Sequence, residues 1–142
     1  IFPAPASAAC HRLNDVGAAI GPDLSAAGNR YNLRDLLENI IDPSRVISDQ
    51  YGSERIEKND GTIVTGRVVG EESGFLLVMT NSFTPAEHER VRYTDVKSRT
   101  PYPTSMMPPG LINALNEEEL KDLLAYILSG GNASDPMFRA SR

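Results

Sequence analysis

The segment from Thr62 to Thr80 limits the folding options of this chain most. TIVTGRVV (62–69) and FLLVMT (75–80) are runs of β-branched and apolar residues, which suit a pleated, half-buried surface. Glu71–Gly74 turns between them, and Asn59-Asp60-Gly61 precedes the first as a strong hairpin signal. Ser53–Lys58 is a further candidate strand. Arg90–Tyr93 with Val96 is another, and Gly66 reads as a bend or bulge. Four short strands with tight turns predict a small curled antiparallel sheet over about residues 52–100.

The flanks follow a different period. Leu33, Leu36, Leu37, Ile40 and Ile41 recur at helical spacing, with Asn32 as the N-cap and Asp42-Pro43 as the stop. Ser44 is the candidate cap of a second short helix through Val46, Ile47 and Tyr51. Upstream, Gly17, Gly21-Pro22 and Gly28-Asn29 punctuate a loop. Ile1–Ala9, with Pro3 and Pro5, leaves room for at most one helical turn. Downstream of the strands comes the Pro-rich loop PYPTSMMPPG (101–110). Asn116 and Glu119 then form a capping-box pair, and Glu117 and Glu118 favour the positive end of the helix. Leu120, Leu123, Leu124, Ile127 and Leu128 form a buried stripe that Gly130-Gly131 stops. Asn132–Arg142 reads as a tail anchored by Met137 and Phe138.

Composition excludes several classes of function. A length of 142 residues suits one domain. A net charge of −5, from 19 acids and 14 bases, speaks against nucleic acid as a partner. No apolar run approaches the length of a membrane span. One Cys excludes an intramolecular disulfide framework, and one Cys with two His disfavours a closed structural zinc site. No Ser-His-Asp order, phosphate-cradling Gly loop or paired-carboxylate motif is present. His88 falls in a polar loop, Pro85–Glu89, where an exposed residue is favoured over a ligand.

Three features could carry chemistry. Cys10-His11 is half of the Cys-x-x-Cys-His pattern, in which thiols add to haem vinyl groups and the adjacent His binds iron. Taken alone, the pair also fits a buried Cys beside a hydrogen-bonded His. Met107, in Ser105-Met106-Met107-Pro108-Pro109-Gly110, offers a soft thioether on a rigid loop, or a gap-filling side chain. Gly21-Pro22-Asp23-Leu24 offers a carbonyl about ten residues after His11. A metal-bound His commonly donates its second N–H to such an acceptor; a plain turn is the alternative.

In this order, before an apolar C-terminal helix, the three features resemble the class I cytochrome c family. The stretches CHRLNDVGAAIGPDLSAAGNRYNLRDLLENIIDPSRVISDQY, DGTIVTGRVV and SMMPPGLINALNEEELKDLLAYI resemble, more closely, the haem-binding cytochrome domain common in planctomycetes and verrucomicrobia. In that group the module is often fused to dehydrogenase-like or propeller domains. The resemblance covers about residues 2–129. It implies a mainly α, cytochrome c-like helical haem domain with a small antiparallel β insertion at about 52–100. The single domain 1–142 would comprise a haem-attachment and helical part (1–51), the insertion (52–100), the axial Met loop and last helix (101–130) and a tail (131–142).

The resemblance further implies one haem c attached through Cys10, with His11 as proximal and Met107 as distal iron ligand. The Pro22 carbonyl would accept from the His11 ring. Arg30, or Arg45, would neutralise a propionate. Leu24, Leu36, Ile40, Leu115 and Leu124 would line the pocket. The implied function is outer-sphere electron transfer by a non-enzymatic carrier, outside the cytoplasm of a bacterium, to a redox partner protein or fused dehydrogenase domain. The pattern departs from the family at Ser7, which stands at the first Cys position, so any covalent link is single. The N-terminal helix is also shorter than in the family, as in a piece of a longer polypeptide or a chain packed by a partner. Three alternatives stay open: an electron-accepting module of a larger redox enzyme, a subunit of a homo-oligomer or multi-haem assembly, and a haemless interaction domain.

Overall fold

The computed structural model describes residues 5–138. The chain before Pro5 and the end of the expected tail, from Arg139, lie outside them. Two compact units form: residues up to Arg45 with those from Pro108 onward, and Val46–Met107.

The first unit is helical. It contains α1 (Pro5–Ala8), α2 (Ala27–Arg30), α3 (Leu33–Ile41) and α4 (Glu117–Leu128). At the start of α3 the Asn32 side chain accepts the Asp35 N–H at 2.9 Å, and Leu36 and Ile40 are buried. Asn116 caps α4 reciprocally: its side chain accepts from the Glu119 N–H at 3.0 Å, and the Glu119 carboxylate accepts from the Asn116 N–H at 2.9 Å. Leu123, Leu124 and Ile127 form the buried face of α4, which packs on α2 and α3. The single turn α2 falls where Gly28-Asn29 reads as loop punctuation. Gly28 is there for close approach: a Cβ on it would lie 1.9 Å from the Leu128 carbonyl oxygen.

The second unit is a five-stranded antiparallel sheet of β1 (Ser53–Lys58), β2 (Ile63–Glu72), β3 (Phe75–Met79), β4 (His88–Arg92) and β5 (Val96–Tyr102), in the order β4-β3-β2-β1-β5. The strands β4 and β5 are consecutive in sequence yet occupy opposite edges. Only the 3₁₀ turn Tyr93–Asp95 joins them. Laid flat, five strands would put those edges about 19 Å apart, beyond the roughly 14 Å that four residue steps span. The sheet is therefore curled. The Lys58–Glu89 ion pair at 3.8 Å joins β1 to β4, which are not neighbours in the ladder. Ile56, Val64, Leu76, Val78 and Val91 fill the interior, with Val68 and Val96 packed against them.

These observations correct the sequence reading. The chain is not mainly α: helix and strand take similar shares of it, and the sheet has its own core. The strands number five, because Tyr93–Asp95 breaks the expected last strand and β5 continues through Pro101. That Pro lacks a donor, which an edge strand tolerates. The bulge in β2 is at Val69, where the register with β3 shifts between Val68 and Gly70, and not at Gly66. The expected helix from Ser44 is reduced to a 3₁₀ turn at Asp49–Tyr51. His88 begins β4 and does not lie in a loop.

Candidate functional site

The stretch from Ser7 to Leu24 folds back on itself within the helical unit. The Cys10 carbonyl accepts from the N–H groups of both Ile20 (3.0 Å) and Gly21 (2.7 Å). The Ala8 carbonyl accepts from Ala18 N–H at 2.9 Å, and the Arg12 carbonyl from Leu24 N–H at 2.8 Å. These bonds lay the Gly-Pro segment alongside Cys10-His11.

This closure fixes the His11 ring. His11 Nδ1 is 2.7 Å from the Pro22 carbonyl oxygen. A carbonyl oxygen can only accept, so Nδ1 carries the proton and donates it. In the neutral imidazole Nε2 then holds the lone pair. Nε2 has no hydrogen-bond partner among the described residues. Gly21 lies against the same ring: a Cβ there would sit 2.6 Å from His11 Cε1 and 2.9 Å from Nδ1. The sequence reading singles out Gly21-Pro22-Asp23-Leu24 for the Pro22 carbonyl alone; the contact of Gly21 with the ring is an addition from the structure.

His11 lines a cavity of about 130 Å³. Ser7, Ala8, Leu13, Val16 and Leu24 line it from the loop, and Leu123, Tyr126 and Ile127 from α4. The lining is predominantly apolar, a setting in which a lone pair meets little competition from water. Leu24 is where the sequence expectation places it. Leu36, Ile40 and Leu124 are buried without lining this cavity. Ser7 lines it while Cys10 does not. Cys10 is half-buried, and that burial pushes its thiol above the ordinary value, so it is protonated at neutral pH.

The two candidate arginines differ. Arg30 donates from Nη2 to the Asp23 carbonyl at 2.9 Å, bracing the residue after Pro22, and makes no ion pair among the described residues. Arg45 is paired with Glu38 at 2.7 Å. Met107 belongs to the sheet unit, half-buried, with its N–H donated to Ser105 Oγ at 3.1 Å. His88 is exposed, its Nε2 2.8 Å from the Pro85 carbonyl oxygen. Among the described residues no group of three or more His, Cys, Asp and Glu could hold a metal ion. No helix there is long and apolar enough to cross a membrane.

No protein-family model matches this chain, and no curated protein matches it.

Proposed function

We propose that this chain is a monohaem c-type electron carrier in which His11 Nε2 is the proximal iron ligand. The observation that carries this reading is the Nδ1–Pro22 hydrogen bond, which in the neutral ring puts the lone pair on Nε2, beside an apolar cavity. That is the tautomer, and the hydrogen bond on the far ring nitrogen, that suits an iron-bound imidazole. Haem supplies a one-electron couple when bound.

The chain's own residues fit such a group in donor chemistry. Pro22 fixes the His11 ring, and Gly21 lets the backbone lie against it. Leu13, Leu24, Leu123 and Ile127 exclude water. A cavity of this volume seats part of a macrocycle, not all of it. Cys10, adjacent to His11, would hold the group through one thioether. Met107 is the proposed distal ligand. Arg30, which makes no close ion pair among the described residues, is the better candidate for a propionate than Arg45, whose charge Glu38 already meets. Covalent attachment belongs to an extracytoplasmic bacterial protein, and the electron partner is a separate redox protein or a fused dehydrogenase domain.

Ser7 favours a second reading, a haemless interaction domain that kept the fold and lost attachment. Intact mass under denaturing conditions, with a visible spectrum, separates the two. Haem mass retained in the wild type and absent from Cys10→Ala supports the carrier; a colourless protein freshly isolated from its native source refutes it. Met107→Ala is expected to abolish the thioether–iron charge-transfer band while Met106→Ala keeps it, and the reverse pattern moves the ligand to Met106.

A further inference from the structure

We infer that the cavity beside His11 is a binding site for a small neutral molecule of one ring that carries a hydrogen-bond donor, phenol being the simplest of the class. The inference goes beyond the electron-carrier reading and does not rest on it. It concerns the chain without haem, in which no iron takes up the His11 lone pair.

Size sets the first limit. At about 130 Å³ the cavity is close to the size, about 150 Å³, at which an apolar cavity takes up benzene. Leu13, Leu24, Leu123 and Ile127 supply apolar walls. Val16 lines the cavity and is 64% exposed, so the cavity meets solvent there and a ligand has a way in. Every lining residue belongs to the helical unit.

Charge and polarity narrow the class. No Asp, Glu, Lys or Arg is among the lining residues, so an ionised ligand would lose water without gaining a counter-charge. The polar side chains of the lining are those of Ser7, His11 and Tyr126. His11 decides what a ligand must carry. Its Nδ1 donates to the Pro22 carbonyl at 2.7 Å, and Gly21 lies against the ring, which holds the ring in one orientation. In the neutral ring Nε2 is then the nitrogen left over, and it can only accept. An apolar ring with an O–H at one end meets both demands: the hydroxyl donates to Nε2 and the ring lies on the leucines. A hydrocarbon of the same size leaves Nε2 unmet. A carboxylate sets a lone pair against a lone pair.

The test titrates phenol, benzene and benzoate into the full chain produced without haem, followed by NMR of the backbone amides and of the His11 ring nitrogens. Phenol is expected to saturate, with shifts confined to residues 7–24 and 123–127 and with Nε2 among the atoms that move. Benzene is expected to bind about tenfold more weakly, the loss of one hydrogen bond, and benzoate not to saturate. His11→Phe keeps a ring and removes the acceptor; it is expected to bring phenol to the affinity of benzene. Equal affinity for phenol and benzene in the wild type overturns the inference, whether or not the variant folds. Phenol shifts that never saturate, or that spread over the sheet, overturn it as well. None of these results depends on whether the native protein holds haem, which its intact mass decides separately.

Discussion

The sheet unit and the helical unit bury similar sets of apolar side chains but seal them differently. Ile56, Leu76, Val78 and Val91, the largest side chains under 2% exposed, all belong to the sheet. In the helical unit Leu13, Leu36, Ile40, Leu123, Leu124 and Ile127 keep 4–8% exposure, and a cavity opens beside His11. Cross-strand pairing at fixed spacing closes the first interior with protein alone. Four short helices and a long folded-back loop leave the second with a gap, and with an imidazole nitrogen that has no hydrogen-bond partner among the described residues. The comparison separates an interior closed by its own strands from one that keeps a cavity.

The largest expected effect that could break this contrast is Ile56→Ala. Removing a fully buried side chain from a closed core costs about 3 kcal/mol. Chemical denaturation followed by NMR should then show sheet resonances lost at lower denaturant than those of the His11 ring. A single shared transition would mean that the two interiors are one cooperative unit. The mirror test is Gly28→Ala, whose Cβ meets the Leu128 carbonyl. Overpacking of this kind costs about 2 kcal/mol, and the helical signals should now be lost first. Asn116→Ala removes the cap of α4 and is expected to cost about 1 kcal/mol, read as a lower helical melting point with the sheet unmoved.

The smallest effect sharpens the sheet side. Arg99 binds Glu54 through two hydrogen bonds, at 2.7 and 2.8 Å, and holds its carboxyl below the ordinary value of 4.5. A depressed folded value gives stability that is complete above the unfolded value and is lost as pH falls through the folded one. For a half-exposed pair this is under about 1 kcal/mol. Titrating sheet stability downward from pH 5 should show the loss, and Glu54→Gln should flatten that part of the profile.

What the sequence could show follows from how local each cause is. Asn32, Asn116 with Glu119, and Asn59-Asp60-Gly61 act within a few residues of themselves, and their caps and turn appear where they are expected. The backbone contact from Pro22 to His11 is legible because the Gly-Pro turn brings a carbonyl back to the ring over a short stretch of chain. Gly28 is not, since its cause is the Leu128 carbonyl, a hundred residues away. The β2 bulge at Val69 has no residue signal of its own. The helical fold class fails because the middle of the chain makes a five-stranded sheet with its own core, too large a share to count as a small insertion in a helical domain. Neither Cys10's absence from the cavity lining nor the hydrogen bond from the Ser82 hydroxyl to the Met106 carbonyl has a local pattern to announce it.

Ser53 pairs directly with Tyr102, so the sheet takes in the chain and releases it at neighbouring points. The helical unit is made of two stretches of sequence separated by residues 46–107. As a floppy loop, that separation would resist closure by an entropy that grows with the logarithm of length, about 0.6 kcal/mol per doubling. With Ser53 and Tyr102 joined through the ladder, only 46–52 and 103–107 remain to be closed. The tether is more than two doublings shorter, worth about 1.4 kcal/mol, or roughly tenfold in the closed population. In polymer terms the sheet is a splice: it lets two remote stretches of helix behave as if a dozen residues joined them.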